Sequence, residues 1–184
     1  NNVVTITVGT GANSEDFVVH DFLLKQSSSF FQAALKEEWK EGQEKIVNLP
    51  EDHSEAFALY VEWLFSGKIA SGSDKPEGRL SSSEITREHL VLANLYVLGE
   101  KLLDDHFCAQ TRKATAELCD IEDSEGYRIF PNYVAINIIY AGTKEGSPMR
   151  EWLVNAYSEH GSKAWVEDAD SRTFCVDFLL DLVK

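Results

Sequence analysis

The 184 residues are 43% apolar and 26% charged, ordinary proportions for one globular domain or one domain with an extension. A formal net charge of -14 opposes nucleic acid and anionic membrane as partners, because neutralising phosphate takes Lys and Arg clusters and no basic run exists. There is no apolar run of bilayer-spanning length and no signal-peptide pattern.

Val3 to Val8 alternates, with Val4, Ile6 and Val8 on one face, and predicts a strand. Gly9 to Ser14 is a turn, and Phe17-Val18-Val19 returns to complete a hairpin. The stretch Phe17 to Leu35 then changes period. Phe22 to Leu24 is a short apolar run, Ser27, Ser28 and Ser29 offer N-cap hydroxyls, and Phe30 to Leu35 reads as buried helical turns. Lys36 to Glu44 is charged and broken by Gly42; Lys45 to Leu49 is a third strand stopped by Pro50. Asp52 and Glu55 read as a capping box for a helix that buries Phe57, Tyr60, Val61 and Leu64 and ends at Gly67. Lys68-Ile69-Ala70 suggests a short edge strand.

Ser71 to Ser83, with Gly72, Pro76 and Gly78, reads as an exposed loop. Leu90 to Leu98 is apolar nearly all round and predicts a covered helix, joined at Gly99 to a second helix over Lys101 to Leu118. The acidic stretch Asp120 to Gly126 marks a boundary. Beyond it Pro131 opens a helix with Val134, Ile138 and Ile139 inward. Pro148 starts another that turns Trp152, Leu153 and Ala156 inward and ends at Gly161; Phe174, Phe178, Leu179 and Leu182 mark a last one.

Cys108, Cys119 and Cys175 make no disulfide framework. On one helix Cys108 and Cys119 would stand about 16 Å apart. A reducing intracellular setting, cytoplasm or nucleus, is the expectation. The chain begins Asn1-Asn2 without Met, as expected of a fragment. His20 reads as structural at the strand-helix junction, and His106-Phe107-Cys108 lacks the second pair a metal site needs. Neither a nucleophile elbow nor a phosphate-binding glycine pattern is present, so a hydrolase is not expected, and no catalytic residue, metal or cofactor is assigned.

The order of these segments closely resembles the BTB/POZ domain. The residues are Val19-His20-Asp21, Ser28-Ser29-Phe30-Phe31, Leu49-Pro50-Glu51-Asp52 and Phe65-Ser66-Gly67. Tyr140 to Ser147, with Arg150, looks like the helical extension of fungal BTB proteins. The resemblance implies an α+β fold: a small three-stranded sheet capped by five or six helices over residues 1–120, then an all-helical extension over 121–184. It implies a protein–protein interaction module without catalysis, an adaptor in a cullin-type ubiquitin ligase or other regulatory complex. The alternative is a homo-oligomerisation domain of a transcriptional or chromatin regulator.

Candidate partner-contact residues are Trp63, Lys68, Ile85, Arg87, Glu88 and His89. Candidate self-association residues for a homodimer are Val3, Thr5, Phe22 and Leu23. Three departures narrow the partner. The strand-exchange segment that precedes the first core strand in some members is missing from this fragment. Asn2 and Asp21 stand where the corepressor-binding type pairs Asp with Lys. Arg87 stands where the cullin-adaptor motif, beginning here at Ile85, has an acid, with Glu88 one place late. The resemblance therefore implies no corepressor pocket of that type and weakened cullin binding.

Overall fold

The computed structural model describes residues 2–69, 79–161, 165 and 174–184. Among them are three strands and nine α-helices, an α+β arrangement with a small mixed sheet. The chain forms two compact units, Asn1–Asp74 with Leu98–Ala114, and Lys75–Val97 with Thr115–Lys184.

In the first unit β1 (Val3–Val8) pairs antiparallel with β2 (Glu15–His20) and parallel with β3 (Ile46–Leu49), giving the order β2-β1-β3. The alternation read from β1 sets the burial. Val4, Ile6 and Val8 are buried, and their neighbours Val19, Val47 and Leu49 join them on the inner face. Helices α1 (Asp21–Ser27), α2 (Ser29–Ala34) and α4 (Ser54–Ser66) follow in the order the sequence indicates, whereas α3 (Lys40–Glu44) forms within the charged stretch Lys36 to Glu44, where no helix is read. Ser28 is the N-cap chosen from the three serines, its Oγ accepting from Phe31 N at 3.1 Å. Gly67 ends α4 in the left-handed conformation, as read.

Several local expectations give way. His20 occupies the N-cap of α1 through its backbone only, with an exposed, non-capping side chain. Asp52 does not cap α4: His53 holds that position, and the Asp52 carboxylate accepts from Lys101 Nζ at 2.6 Å. Gly42 does not break the charged stretch but sits inside α3, where a Cβ would lie 1.9 Å from the Lys36 carbonyl oxygen. Lys68 and Ile69 are in no strand; Ala70, with Gly72, Asp74, Lys75, Pro76 and Gly78 of the predicted loop, lies outside the described residues.

Helix α5 (Ser82–Lys101) starts eight residues before the apolar run at Leu90 and runs through Gly99. Its start is a true capping box: Ser81 N donates to Glu84 Oε2 at 3.0 Å, and Glu84 N donates to Ser81 Oγ at 3.3 Å. Gly99 is not a joint. A Cβ there would stand 2.8 Å from Cys108 Sγ and 2.9 Å from Phe107 Cδ1, so glycine allows helix α6 (Asp105–Cys119) to pack close. The turn falls at Leu103, whose φ is +52°.

In the second unit α7 (Tyr133–Gly142) is capped by Asn132, whose Oδ1 accepts from Val134 N and Ala135 N, rather than opened by Pro131. Its inner face is Ala135, Ile136, Ile139 and Tyr140, one step round from the predicted one; Val134 is exposed and Ile138 half-buried. Helix α8 (Pro148–His160) has Pro148 in its first turn and Gly161 at its end, as read. Leu153 and Ala156 are buried, and Trp152 is half-buried. Helix α9 (Val176–Leu182) buries Phe178 against the rings of Tyr140, Tyr157 and Phe174, while Leu179 and Leu182 are half-buried. No helix among the described residues is long and apolar enough to cross a membrane.

Candidate functional site

Three helix ends meet in the first unit. The carboxyl ends of α1 and α4 and the amino end of α6 border a groove of about 300 Å³ lined by Leu23, Gln26, Ser27, Trp63, Leu64, Gly67 and His106. Trp63 is carried there by the face of α4 that also buries Tyr60. Its ring lies edge-on to His106 at 5.5 Å and tilted against Phe107 at 4.9 Å. Trp63 Nε1 is buried and has no hydrogen-bond partner among the described residues. Phe22 and Phe65, next in sequence to Leu23 and Leu64, are 65% and 64% exposed.

Beneath the groove is a buried carboxylate. Asp104 caps α6 by accepting from Phe107 N at 2.9 Å. Its other oxygen accepts from Tyr60 OH at 2.9 Å and from Ser27 Oγ. Burial, followed by the adjacent Asp104 charge, holds the Tyr60 phenol far above its ordinary range, so it stays a donor. Ser28 Oγ donates to the Leu102 carbonyl, and Ser29 N and Phe30 N reach the carbonyls of Leu103 and Leu102. The first helices are thereby tied to the α5–α6 turn, which fixes the groove walls.

The chemistry of the groove is that of an apolar seat with a polar rim. Cys108 is buried, and burial with the neighbouring Glu100 pushes its thiol up to about 12, so it is a protonated thiol at neutral pH. His106 is exposed and lies within 3.5 Å of Gln110 Nε2. Among the described residues no cluster of three His, Cys, Asp or Glu has metal-binding geometry.

The sequence-derived contact residues divide. Trp63 lines the groove as part of its floor, and Lys68 is exposed just beyond the end of α4. In the second unit Ile85 and His89 are buried, Glu88 is half-buried and Arg87 is exposed. Ile85 and His89 are therefore interior residues. His89 Nε2 lies 2.9 Å from the Ile129 carbonyl and 3.9 Å from Cys119 Sγ, while its Nδ1 is buried without a partner among the described residues. Burial pushes its pKa below the ordinary imidazole value, and burial pushes the Cys119 thiol up to about 12.

Of the self-association residues, Val3 and Phe22 are exposed, and Thr5 and Leu23 half-buried. Thr5 pairs with Val18 on one side and Ile46 on the other. The outer face of the sheet thus carries Val3, Val18 and Ile46 around Thr5, all three exposed. Asp21 turns its carboxylate to Lys25 at 3.3 Å, and its amide donates to the Asn2 carbonyl.

Sequence reading missed Gln26, Ser27 and His106 as groove residues, while Leu64 and Gly67 fall within the helix tip Trp63 to Lys68 that it offers as contact surface. The missed residues come from two helices far apart in the chain, and no pattern along one segment signals their meeting. No known protein family matches the sequence, and no curated protein is similar enough to count as a relative.

Proposed function

We propose that this chain is a non-catalytic protein–protein interaction module of BTB/POZ type, an adaptor in a cullin-type ubiquitin ligase or other regulatory complex. The observation that supports this reading is the groove at the tip of α4, with its apolar floor and the exposed Phe22 and Phe65 beside it. Large apolar side chains left in water next to a preformed recess are characteristic of a partner-binding surface. The order of sequence motifs, which resembles that of the BTB/POZ domain, supports the type proposed.

The test is co-precipitation with a cullin N-terminal region, comparing wild type with Phe65→Glu and Leu64→Ser. Recovery by wild type and loss in both variants is the expected result. Equal recovery from all three removes the groove from the reading; recovery from none removes the cullin. Ile85→Asp is a poor probe, because Ile85 is buried and the substitution would unfold its surroundings.

A second reading is homo-oligomerisation, favoured by the exposed Val3, Val18 and Ile46 on the outer face of the sheet and by Phe22 on α1. Light scattering over a concentration series tests it. A mass that rises with concentration and returns to the monomer value in Val18→Asp supports it; a concentration-independent monomer excludes it.

A further inference from the structure

Helix α9 is apolar around more of its circumference than its packing uses. Phe178 faces Tyr140, Tyr157 and Phe174, yet Val176, Leu180 and Val183 are 68%, 52% and 80% exposed. Val183 is the C-cap of the helix, so the spacings of four and three put all three side chains on one stripe, about 10 Å long. Single exposed aliphatic residues are ordinary, but three in line on so short a helix form a patch.

One border of the stripe holds more acid than base, three carboxylates to two cations. Leu180 lines a recess of about 180 Å³ together with Glu145, Arg150, Asp177, Asp181 and Lys184. The two cations there are already engaged. Arg150 donates to the Tyr140 carbonyl at 2.8 Å and to the Thr143 carbonyl, and Lys184 Nζ donates to Asp181 at 2.9 Å. Glu145 and Asp177 stand exposed on the rim.

We infer that this face docks the apolar side of a basic amphipathic helix from a partner protein, with Lys or Arg beside its apolar row meeting Asp177 and Glu145. A straight row at helical spacing is the complement of another helix's i, i+4, i+7 row. Charge selects the occupant. A second copy would bring the same carboxylates and a further net charge of -14 to the contact. The inference concerns the second unit and does not depend on the groove.

Fluorescence anisotropy tests it with a labelled helical peptide carrying leucines three and four residues apart and lysines beside them. The intact chain binds it. The double variant Val176→Ser, Leu180→Ser weakens binding about ten-fold or more, Asp177→Lys weakens it about five-fold, and a peptide with glutamate for each lysine does not bind. Affinity unchanged in the variants, or equal binding of the glutamate peptide, overturns the inference. So does a concentration-dependent doubling of mass that Leu180→Ser abolishes, which would make the occupant a second copy. Should the double variant lower the melting temperature, Asp177→Lys on the exposed rim decides alone.

Discussion

The two units fix their helices with buried ions of opposite sign. In the first, the Asp104 carboxylate gathers Ser27, Tyr60 and the amino end of α6. In the second, the Arg150 guanidinium, lying over the Tyr140 ring at 4.4 Å, gathers the carboxyl end of α7 through Thr143 Oγ1 and the carbonyls of Tyr140 and Thr143. Among the described residues neither ion takes an opposite charge as its hydrogen-bond partner. Each is satisfied by neutral groups and itself stands at a helix end where the backbone dipole has the complementary sign, Asp104 at the amino end of α6 and Arg150 at the carboxyl end of α7. An anion at an amino end and a cation at a carboxyl end solve the same problem of terminating a buried helix.

Removing the anion is expected to cost most. Asp104→Ala loses the cap and leaves Tyr60 OH and Ser27 Oγ unpaired, about 3–5 kcal/mol, read as a fall in thermal or urea midpoint. Asp104→Asn keeps an acceptor and should lose less; equal loss in both would make the charge itself the essential feature. Arg150→Lys keeps the charge but not the fork, and should cost about 2–3 kcal/mol, with faster amide exchange in residues 140–150 and little change in the first unit. Uniform loss of protection would show that the two units unfold as one.

A smaller effect separates two glycines. A Cβ on Gly142 would meet Val97 Cγ1 at 2.3 Å, whereas on Gly99 the nearest atom, Cys108 Sγ, is at 2.8 Å. Gly142→Ala should therefore destabilise by about 1–3 kcal/mol despite the better helix former, and Gly99→Ala by less. The smallest effect is the acid response of the second unit. His89 binds its proton less readily folded than unfolded, so its neutral form stabilises the fold above the unfolded value near 6.5. That contribution falls as pH drops below 6.5. Melting temperatures between pH 7 and pH 5 should decline in wild type and flatten in His89→Gln.

Much of this fold is written locally. The hairpin, the Ser28 cap, the left-handed Gly67 and the Pro148-to-Gly161 helix each follow from a few neighbouring residues. Reading failed where a distant partner decides. Asp52 has the sequence of a cap but goes to Lys101, 49 positions away. Gly99 has the look of a joint, but Phe107 and Cys108 across the turn need it small. Ser81 and Glu84 did form a capping box, hidden inside a serine run that reads as loop. The groove is half legible: the resemblance points to the helix tip at Trp63, while nothing in the sequence joins Ser27 and His106 to it.

The chain passes from one unit to the other at 74/75, again at 97/98 and again at 114/115. During synthesis, then, the hairpin and the first four helices leave the ribosome well before the residues that complete their core. Ser27 waits for Asp104, 77 positions later. Such long-range closure is slow in folding, and the sheet, whose three strands all lie before residue 50, has to wait with part of its helical cover missing until α6 arrives.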